Sequence, residues 1–296
     1  MNDRIKRLSE QVSGQISGYF ELAAGSIAGR HHQLVGKNNQ DAFYTVRTDS
    51  ETIAVVCDGC SSGMHSEIGA KLGTRWVADA IAQTLCRVPE SQLLLNDNFW
   101  QNVQQQVLVK LQALAQDMGG CTFQLVQDYF LFTIVGALVT PAGAAVFSLG
   151  DGVMAINGQI FHSGPFPNNA PPYLAYQLLD RSLAGVKSFQ VQVHQQLPVE
   201  KVETILIGTD GVVDLMTLSD RRLPGKSETV GPIEQFWQED CYFRNSDAVR
   251  RRLALINREL TRPDWQERRI VKQSGLLRDD TTLVAIRRKE RLAVSA

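Results

Sequence analysis

The sequence predicts an α+β fold in which two antiparallel sheets pack together and helices cover their outer faces. Three observations carry this. Strand-like and helix-like segments come in separate blocks along the 296 residues, not in one-by-one alternation, which argues against a doubly wound parallel sheet. Short turn-forming stretches such as Thr48-Asp49-Ser50 and Asn157-Gly158 join the strand-like runs, as antiparallel hairpins require. No repeat, low-complexity tract or linker divides the chain. Residues 21–296 therefore read as one domain, preceded by a polar arm or short helix over residues 1–20.

The elements follow in order. Residues 42–47 and 52–57 are apolar, β-branched runs and predict two strands. Residues 66–85 predict a helix, with Ile68, Leu72, Trp76, Ala80 and Ile81 recurring at helical spacing. A second helix is predicted over 98–118, with Val103, Val107, Leu111 and Leu114 on one face and Gly119-Gly120 ending it. A strand meander is then expected over 121–126, 129–139, 144–149 and 153–157. Residues 130–150 are long and apolar enough to suggest a membrane span. Thr140-Pro141-Ala142-Gly143 places turn chemistry in the middle, so two buried strands are expected and no membrane partner. Residues 163–173, SGPFPNNAPPY, form a Pro- and Asn-rich loop. Strands over 189–194 and 204–208, a helix over 245–260 capped by Asn245 or Ser246, and a strand over 282–287 complete the chain. Trp76, Phe99, Trp100 and Trp237 read as packing residues, and Arg250-Arg251-Arg252 as a solvated helix face.

Composition excludes some functions. Thirty basic and 31 acidic residues give a net charge of −1, without the basic excess of a general nucleic-acid binder. Five cysteines, at 57, 60, 86, 121 and 241, are odd in number and irregular in spacing, so no disulfide framework is expected. Cys57 and Cys60 make one C-x-x-C with no second pair to complete a zinc site. The opening MNDRIKRLSEQVSG lacks the apolar stretch of a secretory signal, and a cytoplasmic location is expected.

The aspartates recur in one kind of place. Asp58, Asp151 and Asp210 each follow an apolar strand-like run and precede a glycine. Asp41 opens a strand, and Asp279-Asp280 open the last one. Any single Asp-Gly is most simply a hairpin turn. Several carboxylates converging on one sheet rim repel each other unless a cation neutralises them. Hard oxygen ligands without His or Cys suit Mg²⁺ or Mn²⁺.

The ordered set NNQDAF, VVCDGCSSG, SLGDG, IGTDGVVDLM and RDDTTLVAI resembles the metal-dependent protein phosphatases of the type 2C family, over residues 26–288. The resemblance implies a four-layer α-β-β-α sandwich holding two Mg²⁺ or Mn²⁺ ions, with a third and looser one. It implies that Asp58 bridges two ions and the Gly59 carbonyl binds one. Asp210 and Asp279 would complete the other ion's ligands, and Asp41 would hold metal-bound water. Asp151 matches the third-ion position, shared with Asp210, while Asp214 and Asp280 would support the site. Asp41, Asp58, Asp210 and Asp279 form the implied catalytic set. The implied activity is hydrolysis of a phosphomonoester by a metal-activated water, on phosphoserine or phosphothreonine of a protein in bacterial signalling.

Two departures stand out. Gly36 occupies the place of an arginine that grips the substrate phosphate in family members, and Arg30, His31, His32 and Lys37 are the candidate replacements. A lysine would offer only a point charge in place of the bidentate fork. Cys60 occupies the place where some members carry a histidine general acid. His65 lies nearby, and a solvated helix N-terminal position is its favoured reading. His31 and His32, read as adjacent strand residues, would point to opposite faces, with one of them at the surface or facing substrate. These departures leave two other readings open: a phosphatase of a small phosphorylated molecule, and a catalytically weak phosphatase-fold binding module.

Overall fold

The computed structural model describes residues 16–87 and 97–289. Most of the arm expected over residues 1–20 lies outside the described residues, apart from a single helical turn, α1 (Ile16–Tyr19). The chain continues through β1 (Phe20–Ile27), α2 (Arg30–Val35), β2 (Asp41–Arg47), β3 (Thr52–Asp58), α3 (Ser66–Leu85), α4 (Asp97–Asp117) and α5 (Phe123–Tyr129). Then come β4 (Ile134–Thr140), β5 (Gly143–Leu149), β6 (Gly152–Ile156), β7 (Gln159–Ser163), β8 (Gln192–Leu197) and β9 (Thr204–Gly208). The last elements are α6 (Gly211–Thr217), α7 (Gln235–Gln238), α8 (Cys241–Arg244), α9 (Ala248–Ile256), β10 (Leu260–Asp264), β11 (Arg269–Gln273) and β12 (Thr281–Arg288).

Two five-stranded sheets form, in the orders β1-β12-β9-β6-β7 and β2-β3-β4-β5-β8. Every pairing within them is antiparallel. Side chains alternate across a strand, and the central strands here are apolar on both faces. In β3, Ala54 and Val56 join a core with Val135, Val146, Met154, Ile207 and Val284 between the sheets. Their neighbours Ile53, Val55 and Cys57 face a second core with residues of α3 and α4. In β12, Leu283 and Ala285 turn towards a third core with Val249 and Leu253 of α9. Three apolar layers thus separate four structural ones, giving the α-β-β-α sandwich. The apolar run 130–150 is two strands joined at Thr140–Gly143. No helix among the described residues is long and apolar enough to cross a membrane.

Several elements differ from the sequence reading. Residues 121–126 are not a strand. The Thr122 hydroxyl accepts a hydrogen bond from Leu125 N at 3.2 Å and caps α5. The strand expected over 129–139 begins only at Ile134, and that expected over 189–194 is Gln192–Leu197. The helix expected over 245–260 is confined to Ala248–Ile256. The Asn245 side chain accepts from Asp247 N at 2.9 Å, a local turn bond rather than a cap on α9. The β10–β11 hairpin was not foreseen. The face of α3 also differs, because Phe132 fills the space beside Gly73. Small residues, including Gly69, Ala70, Gly73 and Ala78, form its buried face, and Ile68 is exposed. Phe99, Trp100 and Trp237 are buried as expected. Arg252 departs from a solvated face, since it pairs with Glu228 and donates to the carbonyls of Thr229 and Val230.

Gly136 of β4 lies opposite Phe147 of β5, and a Cβ there would sit 2.2 Å from the Phe147 ring. Gly136→Ala should lower stability by roughly 1–3 kcal/mol through overpacking, read from the midpoint of urea unfolding. Adding Phe147→Leu should recover part of that loss, and strictly additive losses would count against the contact.

Candidate metal centre

The sheet edges deliver the carboxylates. Asp41 opens β2, Asp58 ends β3, and the two are direct cross-strand partners, which places their side chains on one face. Asp210 follows β9, and Asp279 and Asp280 precede its neighbour β12. Asp151 occupies the turn from β5 to β6. The glycines after these aspartates admit the chain's own backbone. A Cβ on Gly59 would lie 2.8 Å from the Gln40 carbonyl oxygen, and one on Gly211 would lie 2.0 Å from that of Asp280. Asp58-Gly59 and Asp210-Gly211 are therefore crossing points of loops, not hairpin turns.

Asp58, Asp151, Asp210 and Asp279 line one cleft of about 450 Å³. Asp41 lies behind it, buried, with Oδ2 accepting from the Thr209 hydroxyl at 2.7 Å. Burial pushes the Asp41 carboxyl well above the usual carboxylate range, and the Asp280 charge adds to it. Burial likewise raises Asp58, reinforced by Asp41 and Asp210. Asp210 is raised by burial, although its hydrogen bond to Asp58 opposes the shift. Burial and the Asp210 charge push Asp151 up to about 6. Asp41 Oδ1 and Asp210 Oδ1 are buried without a hydrogen-bond partner. Crowded carboxyls with orphaned oxygens and no cationic partner fit a hard divalent cation.

Asp280 plays a different part. Its Oδ1 accepts from Gly29 N at 2.7 Å and its Oδ2 from Gln40 N at 2.5 Å. His32 Nδ1 lies 2.8 Å from Oδ1. One buried carboxylate thus fastens the start of α2 and the start of β2 to the start of β12. His32, Asp279 and Asp280 offer ligand atoms within 4.8 Å of one another, but both Asp280 oxygens are already engaged, so Asp280 is the frame here.

The candidate phosphate-gripping residues separate clearly. Residues 30–35 are helical, not extended, and His32 is buried on the cleft wall while His31 is exposed. Gly36 caps α2 in a left-handed conformation, φ 69°. Exposed Lys37 donates to the Ser61 carbonyl at 2.9 Å, and Arg30 has a buried Nε without a partner. Neither Lys37 nor Arg30 lines the cleft. Asp214, on α6, contributes negative charge that raises Asp210. His65 stacks on Tyr129 with ring centroids 5.3 Å apart and is not on the cleft wall. Cys60 is on the wall. Burial alone would raise its thiol, but hydrogen bonds from Ser62 and Tyr173 outweigh it and lower the pKa.

Sequence reasoning missed the side walls. Phe123 and Gln127 of α5 form one, and Asn168, Pro171, Tyr173 and Tyr176 form the other. The second wall had a signal in the loop 163–173. The first had none, because α5 reads as a strand.

Known proteins are similar to this chain in sequence or in fold. The family model described as protein phosphatase 2C matches residues 28–254. A bacterial serine phosphatase bearing an arginine-to-glutamate mutation is 16% identical, with 92% of this chain and 99% of that one covered and a TM-score of 0.50. The serine/threonine phosphatase Stp1 from Staphylococcus aureus is 14% identical, covering 92% of this chain and 96% of its own, with a TM-score of 0.49. RsbX in complex with magnesium is 14% identical, covering 93% and 98%, with a TM-score of 0.44. No curated protein matches the chain in sequence.

The raised carboxyls set a pH dependence for the metal-free chain. A free aspartate titrates near ~3.9, and these groups hold their protons more tightly in the folded state. Their contribution to stability is complete below about pH 4 and is lost as pH rises. For Asp151 the loss runs up to about 6, and Asp41 and Asp58, also raised, contribute in the same direction. After chelation, Tm should therefore fall from pH 4 to pH 8, and Asp151→Asn should flatten part of the decline. Mn²⁺ at pH 7.5 should raise Tm by several degrees, and Asp58→Asn should remove most of that rise. A Tm indifferent to Mn²⁺ in the unmutated chain would exclude this donor set.

Proposed function

The chain belongs to the protein phosphatase 2C family, and from that premise we propose that it is a metal-dependent phosphatase of phosphoserine or phosphothreonine in a protein. The observation that carries this is the convergence of Asp58, Asp151, Asp210 and Asp279 on one cleft floor, with buried carboxylate oxygens left unpartnered. The phrase GRHHQLVGKNNQDA resembles a bacterial subgroup of the family, which supports a role in bacterial signalling and a cytoplasmic setting.

In this reading Asp58 and the Gly59 carbonyl would hold a pair of Mg²⁺ or Mn²⁺ ions with Asp210 and Asp279. Asp151 and Asp210 would share a third. Bound ions of this kind supply an acidified water and neutralise charge on the phosphoryl oxygens. The chain's own groups do the rest. The Thr209 hydroxyl fixes the Asp41 carboxyl at 2.7 Å, leaving Oδ1 to orient a water. His32 lies on the cleft wall, with Nδ1 2.8 Å from Asp280 Oδ1 but without a hydrogen-bond partner. Among the described residues no Lys or Arg lines the cleft. Gly36 has no side chain with which to grip a phosphate, and we assign that grip to His32.

That same lack of Lys and Arg supports a second reading, hydrolysis of a small phosphorylated molecule by the same centre. A binding module without catalysis fits less well, because a buried group of like charges is costly to keep without an ion.

Hydrolysis of 4-nitrophenyl phosphate should appear with Mn²⁺ and vanish with chelator. Asp58→Asn should reduce kcat by on the order of 100-fold or more. Silence from folded protein shown by calorimetry to bind Mn²⁺ would refute a general phosphatase. His32→Ala should raise KM more than it lowers kcat, whereas Lys37→Ala should leave KM within about twofold. The reverse pattern would move the phosphate grip to Lys37.

A further inference from the structure

The hairpin of β10 and β11 stands apart from both sheets as a separate two-stranded sheet. Its root is fixed. Leu260 packs against Gly225, and Gly225 N donates to Gln273 Oε1 at 3.0 Å. Beyond the root, residues 261–270 are exposed on both faces except for half-buried Asp264. Two strands alone are marginal in water, so a bare hairpin of this length is poorly explained by the fold of the chain itself.

Its outer face has a definite chemistry. Pro263 pairs with Ile270, and Thr261 with Lys272, so these four side chains share one face. Ile270 is 75% exposed and Trp265, at the tip, is 84% exposed, the highest value of any large apolar side chain among the described residues. The charges around them are unbalanced. Asp264 pairs with Arg269 at 3.7 Å and Glu259 with Lys272 at 3.0 Å. Among the described residues, Arg258, Arg262 and Arg268 are in no ion pair, and each is exposed. Exposed Glu267 is also in no ion pair among the described residues, so residues 258–272 carry five basic and three acidic side chains. Trp and Arg are among the residue types enriched where proteins bind each other tightly.

We propose that residues 260–273 form a docking arm for the protein substrate, and that the arm binds a segment combining acidic side chains with an apolar patch. This deepens the protein-phosphatase reading and rests on it for the word substrate. The arm's position suits the role. Only residues 274–278 separate β11 from Asp279, a reach of at most ~20 Å. That connection is pinned, because Leu277 N donates to Asn257 Oδ1 at 3.2 Å and the Leu277 carbonyl accepts from Arg30 N at 2.9 Å. A substrate held on the arm would keep its phosphorylated residue near the cleft at high effective concentration.

Two other occupants fit less well. In a symmetric pair of chains the same face meets itself, which would set Lys272 against its own copy. At a membrane, one Trp with one Ile is a small apolar anchor.

The test uses the full chain and its Trp265→Ala/Arg268→Glu variant, with equal Tm as the check on folding. The probes are phosphorylated casein, an acidic unfolded phosphoprotein, and 4-nitrophenyl phosphate. The variant should lose roughly tenfold in kcat/KM on casein, mainly through KM. Added salt should shrink the difference. Activity on the aryl phosphate should not change. Anisotropy of labelled, dephosphorylated casein should show the same roughly tenfold weakening without any hydrolysis. Unchanged casein binding would overturn the arm, as would equal losses on both substrates. Binding of phosphatidylserine vesicles in place of casein, or Trp265-dependent self-association in sedimentation, would overturn it too. A wild-type chain that hydrolyses neither probe counts against the phosphatase reading, while the anisotropy measurement still decides the arm.

Discussion

The burial of like charges at one place governs this structure. Asp41 and Asp58 are cross-strand partners at the ends of β2 and β3, and Asp210 is close enough to hydrogen-bond Asp58. Left to themselves these groups would move apart or into water. They cannot, because each is attached to a strand whose neighbours are packed on both faces. The apolar layers hold in place an arrangement that electrostatics alone would disperse. The energy stored there is available to a cation and to little else, since no Lys or Arg lines the cleft among the described residues.

Asp280 shows how a carboxylate can sit beside that cluster with a separate duty. It accepts two backbone N–H groups and contacts one imidazole. Its three partners come from segments more than two hundred residues away in sequence. The two sheets are thereby locked together at the rim where the other aspartates converge. Replacing Asp279 and replacing Asp280 are therefore different experiments, although the residues are adjacent. The first removes a candidate ligand, and the second unfastens the loops that position Gln40 and Asp41.

The legibility of these features in the sequence follows from physics. Asp58, Asp151 and Asp210 could be found because each ends an apolar run whose length and composition mark a strand. The antiparallel sandwich could be read for the same reason. Helix α5 could not, because FQLVQDY is rich in residues that also suit strands, and only Val126 in it is buried. What decides its state is a hydroxyl cap on Thr122. Helix α2 is six residues long, too short to show a period, so His32 and His31 read as an extended pair. The packed face of α3 was hidden because glycine and alanine carry little hydrophobic signal, and Phe132 supplies the bulk from elsewhere. The β10–β11 hairpin escaped because neither of its faces is buried, and Pro263 interrupts its strand pattern.

That last failure has a physical meaning. Hydrophobic periodicity records what a chain buries against itself. A segment that buries its apolar side chains against another molecule leaves no such period, although it still carries the residues for the contact. Residues 260–273 hold Trp265, Ile270 and several arginines in a segment with no period and almost no burial. The site aspartates show the opposite combination, being readable in sequence because they are tied to a core. A catalytic centre needs a rigid frame, and a docking surface needs only exposure and chemistry. The contrast between Asp58, fixed at a strand end, and Trp265, exposed at a hairpin tip, is what a division of labour between catalysis and recruitment would leave in a single chain.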